Sequence, residues 1–260
     1  MNPTTTVGIL ESERNFFDCQ ANELHDTDLR LREDQIERYR NARPRPGNTP
    51  KDRLFAELLP VQGKRILDYG CGTGELSCEL ALCGAQVTGF DLSPASIAGA
   101  WRRAELHGLE DRIRFDVRQA GNTGYPSAGF DIIVGSAILH HLHTEMPVIC
   151  AEIDRLLAPD GVACFIEPVA NSGLLRVLRR WVPVKCDATP DERQLRYDDF
   201  APLRRHFRRL EFHHFYCLDR FRRVVGERMS RPLRWADAYL QKFIPFLRSW
   251  YGIVLMIARR

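Results

Sequence analysis

The chain has 260 residues, 44% of them hydrophobic and 27% charged, with a formal net charge of +3. That size and balance fit one large folded domain, or a domain with a lid, of a soluble globular protein. The longest apolar run, residues 252–258, is too short to span a bilayer, and the opening residues lack a basic segment followed by an apolar run, so no secretory signal is expected.

Charge and cysteine placement add detail. Residues 171–260 hold 20 Lys and Arg against 9 Asp and Glu, a net +11, which leaves −8 for the first 170. A basic C-terminal third suits an anionic substrate, a membrane surface, nucleic acid or plain solvated surface. None of the eight cysteines forms Cys-x-x-Cys, and five fall in predicted core elements. They read as small apolar fillers in a reducing, cytoplasmic compartment, with no disulfide or metal site expected.

In chain order, residues 1–12 read as a loose tail. Residues 13–40 are charge-rich with apolar residues at Phe16, Phe17, Leu24, Leu29 and Leu31, and predict one or two helices over a ligand cleft. Residues 41–50 are a Pro/Gly linker, so residues 1–50 form a helical lid and linker. A short helix follows over 51–59, with Leu54, Phe55, Leu58 and Leu59 inward.

The next stretch carries most of the information. Ile66-Leu67 is the short apolar run of a buried parallel strand. It breaks into Gly70-Cys71-Gly72-Thr73-Gly74 and resumes as a helix over 75–83. A strand, glycine-rich turn and helix bring backbone close to a nucleotide-like ligand, and the glycines remove side chains that would block it. The spacing is Gly-x-Gly-x-Gly, whereas a dinucleotide fingerprint has Gly-x-Gly-x-x-Gly. Asp68, two residues before the first glycine, is a poor neighbour for a pyrophosphate and suits the ammonium of an amino acid. The strand over 86–91 ends in Asp91, which can accept both hydroxyls of a ribose. Ser93 then caps a helix with Pro94 at its first position, running to His107.

Asp68, the three glycines and Asp91 at these spacings resemble motif I and the second-strand acid of the class I S-adenosylmethionine (SAM)-dependent methyltransferases. The resemblance is strong over about residues 62–168 and weak over 209–258. It implies an α/β, Rossmann-like, doubly wound seven-stranded sheet, mostly parallel with an antiparallel C-terminal strand, plus helical lid elements. It implies S-adenosyl-L-methionine as cofactor, held by Asp68, Gly70, Cys71, Gly72, Gly74, Asp91, Leu92, Gln119, Ala120 and Ser136. Gln119 departs from the family pattern, which places an acid beside the adenine amino group; a glutamine carbonyl also accepts there, more weakly. Asp116 is expected to face elsewhere.

Strands over 113–117, 130–134 and 162–166, with a helix over 145–157, continue a βα rhythm that gives a parallel sheet. Residues 51–168 are thus the cofactor-binding core. The rhythm breaks over 169–208, a substrate-side insertion where Arg176, Arg179, Arg180 and Trp181 suit a lid over an acidic or lipid-linked substrate. Residues 209–260 complete the sheet, with strands over 210–217 and 250–257 and an Arg-rich helical excursion over 218–248. The resemblance makes both late strands antiparallel, which sends that excursion away from the cleft.

Methyl transfer is an in-line displacement at an activated carbon, so positioning and water exclusion supply most of the effect. The fourth strand leads into Gly135-Ser136-Ala137-Ile138-Leu139-His140-His141-Leu142-His143. This lacks the Asn/Asp-Pro-Pro-Tyr, Pro-Cys and Mg²⁺-binding carboxylate signatures of other branches, which leaves the small-molecule branch. His140 and His141 are the candidate catalytic bases, needed for an aliphatic hydroxyl and much less for a phenol or amine. Glu167 is a secondary candidate, with capping the favoured role. The leading expectation is methylation, foremost at oxygen, of a small or lipid-like metabolite. Alternatives are small-molecule N-methylation, a nucleic-acid methyltransferase, which the missing signatures disfavour, and a non-catalytic SAM-binding protein. Peripheral membrane contact through the basic third accompanies the lipid-like case.

Overall fold

Runs that are apolar on both faces become strands only where helices cover both faces of the sheet, and that is the architecture found. The computed structural model describes residues 3–170, 172, 193–219 and 226–260. The strands are β1 (Arg65–Tyr69), β2 (Gln86–Asp91), β3 (Ile113–Val117), β4 (Phe130–Ser136), β5 (Leu157–Pro168), β6 (Arg209–Phe215) and β7 (Ile253–Arg259). They form one sheet in the order β3-β2-β1-β4-β5-β7-β6. β1 pairs in parallel with β2 and β4, β2 with β3, and β4 with β5, while β7 runs antiparallel to both β5 and β6.

The helices are α1 (Pro3–Asn22), α2 (Asp26–Leu29), α3 (Glu33–Arg40), α4 (Pro50–Leu58), α5 (Glu75–Leu82), α6 (Pro94–Leu106), α7 (Met146–Leu156) and α8 (Ser230–Phe243). Two apolar layers sandwich the sheet. One joins Leu54 and Phe55 of α4, Leu76 and Leu80 of α5 and Ile97 of α6 to Ile66, Val87 and Ile257. The other joins Ile149 and Ile153 of α7 and Phe200 to Leu67, Ile133 and Phe165. Phe200 sits in a 3-10 segment, Tyr197–Arg205, that continues the second layer.

The seven-stranded, mostly parallel sheet with its antiparallel last strand is as expected, and four details differ. The tail expected over 1–12 is helical from Pro3, as the first part of α1, which rests on α6 through Asp18 further along. The N-terminal segment expected to hold one or two helices holds three. β5 begins at Leu157 and β7 at Ile253, with residues 245–250 in a 3-10 turn. Finally, β6 points the same way as β1 to β5, since both it and they oppose β7. The excursion after β6 therefore leaves from the carboxyl edge of the sheet, on the side of the cleft. Arg176, Arg179, Arg180 and Trp181 lie outside the described residues.

Candidate active site

The glycine turn joins β1 to α5 at the carboxyl edge, next to the ends of β2 and β4. Gly70, Gly72 and Gly74 have φ of +71°, +51° and +73°, the left-handed region that favours glycine. Their roles separate when a side chain is imagined on each. A Cβ at Gly70 would lie 2.5 Å from Ile138, and one at Gly74 2.9 Å from Ala100 and Phe115, whereas at Gly72 nothing lies within 4 Å. Gly70 and Gly74 let the turn pack down; Gly72 leaves open space above it. Cys71 is held by its amide to the Phe90 carbonyl, 2.8 Å away, and burial raises its thiol well above the ordinary value.

The two acids flank this turn. Asp68 is buried and accepts from the Ser77 hydroxyl at 2.6 Å; loss of solvent pushes its carboxyl up to about 6. Asp91 accepts from the Gly72 amide at 2.9 Å and the Ser93 amide at 3.0 Å, and burial raises its pKa too. Ser93 caps α6 through the Ser96 amide at 2.9 Å, as its position before Pro94 predicts. Of the other expected cofactor contacts, Leu92 is half-exposed after β2, and Ser136 is half-buried at the end of β4. Gln119 is exposed, and the Ala120 carbonyl accepts from the Tyr69 hydroxyl. Asp116 faces away, accepting from the Tyr125 hydroxyl at 2.8 Å.

A cofactor of this kind fits these residues. Gly72 offers backbone with no side chain above it, Asp91 ends its strand beside that glycine, and Asp68 is a buried carboxyl that a cationic group would hold ionised. Helix α1 lies across the same place. Asp18 of α1 accepts from the Ser93 hydroxyl and, at 3.2 Å, from the Ala95 amide, at the positive end of α6. Phe17 meets the His141 ring edge-on at 5.4 Å, and Glu13 lies 3.6 Å from His141 Nδ1. Arg103 of α6 is buried and donates to the carbonyls of Thr73 in the turn and, at 3.0 Å, of Leu29 in α2. Sequence reasoning missed Asp18 and Arg103. The only signal for Arg103 was a charge on the buried side of an amphipathic helix.

Two histidines follow β4. His140 is buried, with Nδ1 2.9 Å from Glu167 Oε2 at the end of β5. The other Glu167 oxygen accepts from the Ile138 and Leu139 amides at 2.9 and 2.8 Å, so one buried carboxylate fixes both the loop and the ring. The His141 ring is 4.1 Å from that of His140 and lies under α1. His143 lies nearer the surface, its Nδ1 3.0 Å from the His140 carbonyl oxygen. A separate cavity of about 280 Å³ opens at the carboxyl end of β6, between the 44–48 linker and α8. Arg53 and His213 line it, their nitrogens 3.5 Å apart, and burial and that guanidinium lower the His213 pKa.

The sheet order, the glycine turn and the acids at the ends of β1 and β2 define a Rossmann-like fold of the methyltransferase type. The profile of the family described as "Methyltransferase domain" matches residues 60–197, just over half of the chain. The chain belongs to that family, the class I SAM-dependent methyltransferases. It is 37% identical over 112 residues to 27-O-demethylrifamycin SV methyltransferase of Amycolatopsis mediterranei, covering 42% of this chain and 40% of that one. It is 40% identical over 108 residues to the ubiquinone biosynthesis O-methyltransferase of Nitrosococcus oceani, covering 40% of this chain and 44% of the relative. The match thus spans less than half the length of either relative. In fold it is similar to Haemonchus contortus phosphoethanolamine N-methyltransferase 2 solved with S-adenosyl-L-methionine, with a TM-score of 0.61, 19% identity and coverage of 95% and 59% of the two chains.

Proposed function

We propose that this protein transfers a methyl group from S-adenosyl-L-methionine to a hydroxyl oxygen of a small or lipid-like metabolite, with His140 as the base. The observation that carries the reading is the buried pair of His140 and Glu167 at 2.9 Å, at the carboxyl ends of β4 and β5. A carboxylate on Nδ1 fixes the tautomer in which Nδ1 carries the proton and Nε2 is the basic nitrogen, and it stabilises the imidazolium that forms on proton uptake. An aliphatic hydroxyl needs such a base. The cofactor, when bound, supplies a methyl carbon activated by a positive sulfur. Asp68, Gly72 and Asp91 are the residues that would hold it, and Leu92, Gln119, Ala120 and Ser136 would line its remainder. The lid helix α1 excludes water, and His141, against Phe17, belongs to that closure more than to proton transfer. The name of the Nitrosococcus relative, an O-methyltransferase, supports oxygen as the acceptor.

The test is methyl transfer from labelled S-adenosyl-L-methionine to fractionated hydroxylated metabolites and lipids. His140→Ala should lower kcat by about 10²–10⁴ with S-adenosylhomocysteine binding unchanged, and Glu167→Gln by a smaller factor. If both variants keep kcat within about threefold, His140 is not the base and the nucleophile is a phenol or amine that needs none.

A further inference from the structure

Eight large apolar side chains are exposed among the described residues, and five of them, Met229, Trp235, Tyr239, Phe243 and Phe246, lie in one short stretch. The other three are scattered singly, as on any surface. Trp235, Tyr239 and Phe243 are spaced i, i+4, i+8 on α8 and so share one face; Phe246 follows in the next 3-10 turn. Phe243 and Phe246 are 70% and 78% exposed, a degree of solvent contact that folding alone does not favour for phenylalanine. The opposite face packs inward, and one side of the Trp235 indole covers Gly47 of the linker. Asp237 accepts from the Leu218 amide at 2.7 Å, Gln241 contacts His214 of β6 at 2.8 Å, and Arg234 donates to the Gly47 carbonyl at 3.0 Å.

Among the described side chains, the exposed charges beside the aromatic face have one sign. Arg228, Arg231, Lys242 and Arg248 are exposed, and none is in an ion pair among the described residues. The nearby carboxylate, Asp237, is buried on the inner face. Tryptophan and tyrosine with phenylalanine on one side and cations at the rim is the composition of a helix that lies in a membrane interface. The same features disfavour a second copy of the chain: a two-fold contact would set this face against itself, with the cations opposed. We infer that α8 and the turn after it form a docking surface for an anionic lipid bilayer. The aromatic side chains enter the headgroup region while Arg231 and Lys242 meet lipid phosphates. The surface stands independently of the transferred group and of the base.

The experiment is sedimentation of the full chain with phosphatidylcholine vesicles, with and without about 30% phosphatidylglycerol, at low and physiological salt. The wild type should pellet with the anionic vesicles and stay in solution with the neutral ones. Phe243→Ser with Phe246→Ser, and separately Arg231→Glu with Lys242→Glu, should each reduce the bound fraction at least about tenfold. Both double variants should keep the wild-type melting temperature, which shows that they are folded. The inference is overturned if the wild type ignores anionic vesicles at low salt, or if both double variants bind as it does. It is equally overturned if, without vesicle binding, the aromatic variant abolishes a dimer seen by sedimentation velocity or retention on single-stranded RNA.

Discussion

Cofactor affinity should depend on pH through Asp68, and the direction follows from its burial. The folded protein holds this carboxyl at about 6 against an ordinary value of 3.8, chiefly because no water solvates its charge. An ammonium brought beside it favours the ionised form, so binding below pH 6 releases a proton. Affinity for S-adenosylhomocysteine should therefore climb as pH rises toward about 6 and then level off. At pH 5 only about a tenth of Asp68 is ionised, so binding there should be about tenfold weaker than on the plateau. Stability of the ligand-free protein runs the other way. The folded state binds the Asp68 proton more tightly than the unfolded one, so the Asp68 contribution to stability falls as pH rises from about 4 to 6, by about 3 kcal/mol. Asp68→Asn should remove the binding dependence and the Asp68 share of the stability dependence, leave the ligand-free protein no less stable at pH 7.5, and weaken binding there by about 1–3 kcal/mol. Titration calorimetry between pH 5 and 7.5, with thermal melts in the same buffers, reads both effects. Glu79, pushed up to about 7 by burial beside Lys51, is the control, since Glu79→Gln should leave the midpoint near 6. The reasoning fails if Asp68→Asn keeps the wild-type profile, or if affinity falls with rising pH.

Asp91→Ala should reduce the rise in Tm produced by S-adenosylhomocysteine, by the equivalent of about 1–3 kcal/mol of binding; an unchanged rise removes Asp91 from the site. Gly72→Ala and Gly74→Ala should divide by effect. The first meets open space, so it should cost about 1–2 kcal/mol of stability, for its left-handed backbone, and abolish cofactor binding; the second clashes with Ala100 and Phe115 and should lower Tm further. Arg103→Lys should destabilise by about 1–3 kcal/mol, because an ammonium cannot serve the Thr73 and Leu29 carbonyls together, and denaturant melts should show it.

The glycine turn, Asp68, Asp91, the Ser93 cap and the strands through β5 could be read locally, because each depends on residues close together in sequence. Asp68 and Asp91 meet the same turn because β1 and β2 pair in parallel, and alternation of strand and helix already implies that. The direction of β6 was not legible. Its alternating residues fit either orientation, and only the antiparallel pairing of β7 with both neighbours decides it. Glu167 could be placed at the strand edge but not matched to His140, since their contact spans two strands. Asp18 and Glu13 lie on a helix of weak propensity whose position is set by α6. The exposed face of α8 could not be told from a buried one, because an aromatic stripe at helical spacing looks the same in either setting.

The place of β7 also bears on how the chain reaches this fold during synthesis. β7 comes after β6 in the chain yet lies between β5 and β6 in the sheet. Until it is made, β6 has no strand to pair with, and the open edge of β5 can template unwanted association. Its arrival closes a separation of about ninety residues and fills both layers at once, with Leu255 and Ile257 on one side and Val254 and Met256 on the other. Nascent chains stalled before residue 253 should accordingly depend on chaperones to a degree that the finished protein does not.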